Sequence, residues 1–307
     1  MSQKEALSTV TLKDGRRLGY STLSGPDVEQ NAPTILYFHG WPGAHPEGGM
    51  LKKSVIKRQV RLLTLSRPGF GESSFKADRT HLGWVEDVLE FVDQIGVQQF
   101  YILGFSGGSP YTLACLASIP KDRLLRAAIV SGAYPGCLNS KDTIFINKAV
   151  NIAVRTPILS SVLPHIVEFA VAREARDPKK AKQFEDRFVK DVGSRHPKEA
   201  QSLEDPDVRR GAVESCRESF KQGAYGWSCE AKLLNQDWGI PIEKIDGTRL
   251  DVWHGGQDKN VPHRMAQDMS ETLPGCRLHL LDEEAHISLL VNYADQILDA
   301  LLIHEQK

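Results

Sequence analysis

The stretch Phe100–Ser109, FYILGFSGGS, constrains this chain more than any other part of it. Four residues of strand character, Phe100 to Leu103, run into Gly104-Phe105-Ser106-Gly107-Gly108. The pattern G-x-S-x-G between a strand and a helix is the nucleophile elbow, a tight turn that presents a serine hydroxyl. Glycines on both sides let the backbone reverse and let the next helix pack close to the strand. Ser109 to Ser118 has the spacing of that helix, with Leu113, Ala114 and Ala117 able to face a sheet. By chance the pentapeptide turns up in about one chain in ten of this length. Alone it could be a glycine-rich turn that binds nothing, so the rest of the chain must supply a base, an acid and an oxyanion donor.

The remaining pattern provides a sheet for such a turn. Ser8–Leu12 and Arg16–Leu23 flank Asp14-Gly15, a hairpin signal. Thr34–Phe38, Val60–Leu65, the strand 99–105 and Leu124–Val130 are nearly continuous apolar runs, as expected of parallel strands buried on both faces. Leu82–Ile95 is amphipathic, with Leu82, Val85, Val88, Leu89 and Val92 recurring at three and four. Strands vanish between about 136 and 235, where Thr143–Arg155, Pro157–Arg173, Ala181–Val192 and 207–222 have helical spacing. Ile144, Phe145, Ile152, Leu159, Leu163, Ile166 and Phe169 either line a substrate pocket or pack on the core, and most are expected to pack. The charges of 181–192 form a solvated face. Strand character returns at Arg249–Trp253 and Arg277–Leu281, with helices over 265–273 and 287–303. Eight strands alternating with helices predict an α/β fold, a mostly parallel sheet covered on both faces. The domain expectation is a core of 1–135 and 236–307, interrupted after strand six by a helical lid over 136–235.

Composition narrows the function class. Charged residues are 25 % and the net charge is −1, so no nucleic-acid surface or anionic membrane partner is expected. No apolar run approaches the roughly 18 residues of a membrane span, and MSQKEALSTV lacks the form of a secretory signal. Cys115, Cys137, Cys216, Cys229 and Cys276 are scattered and never in C-x-x-C spacing, which fits buried thiols rather than disulfides or a metal site. The expectation is a cytoplasmic enzyme with a small-molecule substrate, no metal and no cofactor. The oligomeric state is not legible.

A serine hydroxyl needs a base, and the base needs a carboxylate to orient it. His286 lies between the last strand and the closing helix, at the carboxyl edge where open α/β sheets gather their chemistry. His39 fits a structural place in the oxyanion loop, and His254 a buried, hydrogen-bonded one. His45, His81, His165, His196, His263, His279 and His304 fit surface or internally satisfied positions. For the acid, Asp258 follows a buried strand in Gly255-Gly256-Gln257-Asp258, and Asp282 at the end of the last strand is its rival. Some proteins that this pattern resembles place the acid after the strand that here ends at Val130, where this chain has Ser131-Gly132-Ala133 and no carboxylate, which favours Asp258. Oxyanion donors are expected from the backbone N–H of Gly107, just after the serine, and of Trp41 in the loop after Phe38. Gly40 and Phe105 are further candidates for contact with substrate.

His39-Gly40-Trp41-Pro42-Gly43, Arg67-Pro68-Gly69-Phe70-Gly71, the elbow, Gly256-to-Asp258 and Ala285-His286 together resemble the α/β-hydrolase superfamily with a helical lid. The order Ser106, Asp258, His286 is that superfamily's nucleophile–acid–base order. HG-x-P followed by RPG-x-G is similar to epoxide hydrolases, haloalkane dehalogenases and proline iminopeptidases. The first two families use aspartate where this chain has Ser106. Proline iminopeptidases read HGGPG where this chain has Trp41, and bind the substrate amine with lid carboxylates, none of which the sequence singles out. The resemblance implies a serine hydrolase acting on an ester, lactone or related acyl bond of a small, apolar substrate. Non-hydrolytic or C–C-bond-cleaving chemistry, a proline iminopeptidase-like peptidase, and a slow ligand receptor that keeps the pocket are the alternatives.

Overall fold

The computed structural model describes residues 6–303 except 27, 30 and 136–142. Cys137, His304 and the expected boundary at 136 lie outside the described residues. The sheet has eight strands in the order β1-β2-β4-β3-β5-β6-β7-β8. They are β1 Ala6–Thr11, β2 Arg17–Leu23, β3 Thr34–Phe38, β4 Arg61–Leu65, β5 Phe100–Phe105, β6 Leu124–Val130, β7 Leu250–Gly255 and β8 Arg277–Leu281. β2 runs antiparallel to both β1 and β4, and every other pairing is parallel. The chain thus has the mostly parallel α/β sheet expected from its strand rhythm, and with it the α/β-hydrolase fold that the resemblance implies.

Residues alternate between the two faces of each strand, and the core divides accordingly. Leu36, Phe38 and Ile102 face one layer with Trp84, Val88, Phe91 and Tyr111 from α2 (His81–Gln94) and α3 (Ser109–Ser118). Ile35, Tyr37 and Leu103 face the other, where α1 (Lys52–Lys57) brings Val55. α12 (His286–Asn292) and α13 (Ala294–Leu302) bring Leu289, Leu290, Ile297 and Leu298 to the same layer. The expected closing helix 287–303 is therefore two helices, because Tyr293 leaves the helical region at φ −109°, ψ 13°. The apolar period runs straight through that break and gave no sign of it. α11 (His263–Glu271) covers the β7–β8 edge.

All elements described between β6 and β7 are helical: α4 Phe145–Arg155, α5 Pro157–Val167, α6 Arg173–Arg176, α7 Ala181–Gly193, α8 Pro197–Ser202, α9 Pro206–Ser219 and α10 Tyr225–Asn235, with short 3₁₀ and π turns. The expected helix 157–173 is interrupted: over Glu168–Ala172 the chain widens to a π turn, one turn beyond Pro164, which has no N–H to give the helix. α8, only six residues long, and α10 are not among the expected helices. The expectation that the apolar residues of α4 and α5 pack on the core is corrected. Phe145 and Phe169 are 82 % and 76 % exposed, and Ile152, Leu159 and Ile166 are exposed too. The two helices bury Val150 and Leu163 against each other and α10, and nothing described covers their other face. No helix among the described residues is long and apolar enough to cross a membrane.

In this order β3 and β5 are neighbours, and the chain leaves β3 toward β4 before returning to β5 on its other side. Such a switch point opens a crevice at the carboxyl ends of the strands. The helix after β5 can close that crevice only because Gly108 lacks a side chain. A Cβ there would lie 2.2 Å from the carbonyl oxygen of Phe38. Gly108→Ala is expected to lower the melting temperature by about 5–10 °C, a typical cost of overpacking a rigid backbone contact. A thermal melt matching wild type would show that the strand and helix can part.

Candidate active site

Ser106 follows the last residue of β5 and adopts φ +49°, in the left-handed region that non-glycine residues avoid. The strain is held from both sides. Its carbonyl accepts the N–H of Ala133 at 2.9 Å, tying the turn to the loop after β6. A Cβ on Gly40 would lie 3.3 Å from Cβ of Ser106, so the loop after β3 presses on the serine directly. At Gly107 a Cβ would stand 3.1 Å from the amide nitrogen of Trp41. The backbone nitrogens of Gly107 and Trp41 therefore belong to one small region beside Ser106. Gly107 is in the first turn after the strand, where helix N–H groups have no partner inside the helix.

The loop carrying Trp41 is braced from beneath. His39 is fully buried, contacts the Gly40 carbonyl through Nδ1 at 2.8 Å and accepts the Arg67 N–H at Nε2. Burial first, and then the Arg67 cation, holds its pKa well below the usual histidine value. A neutral ring protonated at Nδ1 satisfies both contacts. The buried Arg67 guanidinium donates to the carbonyls of His39 and Gly40 and forms an ion pair with Glu230 of α10 at 2.9 Å. Glu230 also accepts from Arg79 and from the Tyr111 hydroxyl. Glu47 accepts the Gly40 N–H at 2.6 Å and the hydroxyls of Tyr37 and Ser215. Gly40 therefore shapes the loop and spends its own N–H on Glu47. The Trp41–Pro42 peptide is cis. The Trp41 indole lies 4.8 Å from that of Trp227 and donates to its carbonyl, so α10 sits on this loop.

Across the crevice, Nδ1 of His286 is 2.6 Å from Oδ2 of Asp258. Both are buried. The other oxygen of Asp258 accepts the N–H groups of Asn260 and Val261. Burial works to raise the pKa of Asp258, but the nearby His286 and these donors outweigh it, and the net shift is downward. Burial likewise works against charge on His286, yet the Asp258 carboxylate raises its pKa overall. The His286 ring lies 5.0 Å from that of Phe105, the residue preceding Ser106. Asp282, the rival acid, is exposed, and its carbonyl accepts from the Gln257 side chain. His254 is buried, contacts the Val261 carbonyl and stands 3.5 Å from Asp258. Ser131 Oγ donates to the His286 carbonyl at 2.9 Å, so the loop after β6 holds the backbone of His286 and brings no carboxylate to it.

Four buried groups escaped sequence reasoning. Arg67 was noticed only as part of a turn, and Glu47, Glu199 and Glu230 sit in stretches with no motif. Glu199 of α8 accepts backbone N–H groups of His286, Ile287 and Ser288. Glu199 and Glu230, which the sequence does not single out among the carboxylates of 136–235, are 2 % and 0 % exposed. Such carboxylates announce themselves only through tertiary neighbours. His45 and His81 are buried as well, and burial lowers the pKa of each to about 4. Of the described cysteines, Cys115 and Cys216 are buried, Cys229 and Cys276 are half-buried, and all four are free.

Comparison with known proteins agrees with this geometry at the level of the fold. Residues 33–157 match the family described as alpha/beta hydrolase fold. A bifunctional esterase/perhydrolase from Acinetobacter calcoaceticus is 29 % identical over 41 % of this chain and 45 % of its own length. The chain spans about half the length of the curated relatives it matches. Among solved structures, a bromoperoxidase from Bacillus anthracis superposes with a TM-score of 0.66 at 17 % identity, covering 97 % of this chain and 98 % of its own. An enol-lactonase from Burkholderia xenovorans LB400 does so with a TM-score of 0.61 at 17 % identity, over 96 % and 98 %.

The Glu47 carboxyl carries a measurable signature. Burial pushes its pKa up to about 7, against the pull of its donors and of Arg67. An unfolded glutamate ionises near 4.3, so the folded protein holds this proton more tightly. The resulting stabilisation is complete below the unfolded value and fades as pH rises toward 7, by at most about 4 kcal/mol. Raising the pH from 5 to 8 is expected to lower the melting temperature of the wild type more than that of Glu47→Gln. Parallel pH dependences would place the Glu47 carboxyl in its ordinary range.

Proposed function

We propose that this chain, which has the α/β-hydrolase fold and matches that family's model over residues 33–157, is a serine hydrolase cleaving an ester, lactone or related acyl bond of a small apolar molecule. The observation that carries the proposal is the 2.6 Å contact between His286 Nδ1 and Asp258, at the same sheet edge as a left-handed Ser106. With Nδ1 engaged by the carboxylate, Nε2 is the nitrogen free to exchange a proton with Ser106 Oγ. The hydroxyl attacks the acyl carbon as its proton passes to His286. The oxyanion that forms accepts from the Trp41 and Gly107 N–H groups. Collapse breaks the bond to the leaving oxygen, which takes the proton from the imidazolium. Water, deprotonated by the same ring, then releases the acid and restores the serine. Asp258 holds the ring in the required tautomer throughout.

The esterase named among the relatives and the enol-lactonase among the structural neighbours support acyl-oxygen chemistry. Phe105, which precedes Ser106 and packs on His286, and the Trp41–Trp227 pair beside the Gly107 turn favour an apolar substrate. Residues 136–235 would serve as the cap over this crevice, with α10 resting on the Trp41 loop. Unpaired cysteines fit a cytoplasmic setting. The peptidase alternative has less support. Both buried carboxylates of the cap are committed to protein groups, Glu230 to two arginines and Glu199 to the backbone of α12, and neither is left for a substrate amine.

Hydrolysis of p-nitrophenyl esters of graded chain length tests the proposal. Ser106→Ala is expected to reduce kcat about 10⁶-fold and Asp258→Asn about 10³–10⁴-fold, while Asp282→Asn retains wild-type turnover. A folded Ser106→Ala protein that still turns over would refute the mechanism, and an inert Asp282→Asn would move the acid.

A further inference from the structure

Glu199 belongs to the helical insertion yet ends beneath the base. Its Oε1 accepts the N–H of His286 at 2.8 Å and of Ile287 at 3.0 Å, and its Oε2 accepts those of Ile287 at 3.1 Å and Ser288 at 3.0 Å. The side chain is buried and its carboxylate spans the first three amides of α12, among which is the residue that carries the imidazole. We infer that Glu199 is a positioning residue for the base. It fixes the backbone of His286 and sets a second negative charge, besides that of Asp258, against the His286 ring. The inference rests on the proposed role of His286 and makes the cap a part of the acid–base apparatus.

The surroundings support an electrostatic role beyond simple capping. Asp258 and Glu199 both favour the protonated ring, while Arg195, just before α8, opposes it. The buried His254 of β7 also faces the pair. The nearby Lys198 is matched by Glu284 at 2.7 Å, so its charge is largely cancelled. Burial, helped by the Asp258 charge, raises the pKa of Glu199 itself, against the pull of the His286 ring and of the Ile287 and His286 N–H groups. An ordinary helix cap would be replaceable by any acceptor of the same shape. A positioning charge would not.

Glu199→Gln keeps the shape and an acceptor and removes the charge. Glu199→Asp keeps the charge on a shorter arm. Two readouts are taken on the intact protein: the NMR titration of the His286 ring, and the pH dependence of Ser106 labelling by a fluorophosphonate probe. With Glu199→Gln, the His286 midpoint and the acidic limb of labelling are both expected to fall by about 0.5–1 pH unit. With Glu199→Asp, the midpoint stays near wild type while the plateau rate drops several-fold, because the backbone of α12 is held less firmly. A Glu199→Gln midpoint superimposed on wild type overturns the inference. If that variant does not fold, a Glu199→Asp protein with wild-type midpoint and wild-type plateau overturns it instead. A wild type that does not label at Ser106 would sink the hydrolase reading, and the NMR midpoint would still decide the role of Glu199.

Discussion

The closeness of α3 to β3 is the constraint on which the site depends. Ser106 can occupy a left-handed turn only if the chain on both sides of it is immobilised. Gly108 lets the helix rest on the Phe38 carbonyl, and Gly107 lets the Trp41 loop reach the turn. Because β3 and β5 are adjacent parallel strands, their loops emerge side by side, and the serine and the Trp41 amide meet without either chain segment travelling far. The strain at one residue is thus carried by backbone contacts that any side chain would break.

Buried carboxylates do the next level of work. Glu47 holds the loop after β3 through the Gly40 N–H and reaches Ser215 of α9. Glu230 of α10 neutralises Arg67, whose guanidinium grips the carbonyls of His39 and Gly40. Glu199 of α8 grips the backbone at His286. Thr143 and Asn147 bond to the Asn260 carbonyl, two residues past Asp258. The loops carrying Trp41, Asp258 and His286 are therefore each fastened by a polar contact to the helical stretch between β6 and β7. A buried carboxylate left without its partner costs far more than a surface one, so these fastenings also hold that helical stretch in place.

Much of the sheet was legible from residue pattern alone. Thr34–Phe38 and Leu124–Val130 are strands with the expected bounds, because an unbroken apolar run flanked by turn residues has few other places to go. Ser106, Asp258 and His286 stood out because each follows a strand at a glycine-rich or short turn. The insertion was harder. The apolar stripe of α4 and α5 looked like a packing face and is instead exposed, since periodicity tells that a helix has an apolar side but not what will cover it. Glu199, one acid in a charge-rich segment, differs from its solvated neighbours only in where the fold carries it. The break at Tyr293 and the π turn after Pro164 are likewise tertiary outcomes, invisible in local propensity.

The central claim is that Ser106 becomes covalently acylated during turnover. Mass spectrometry of the protein quenched within seconds of exposure to an activated ester measures this directly. The account predicts a mass increase equal to the acyl group, mapped to the peptide containing Ser106 and absent from Ser106→Ala. Turnover of the ester with no adduct on that peptide, or an adduct that persists in Ser106→Ala, would contradict it.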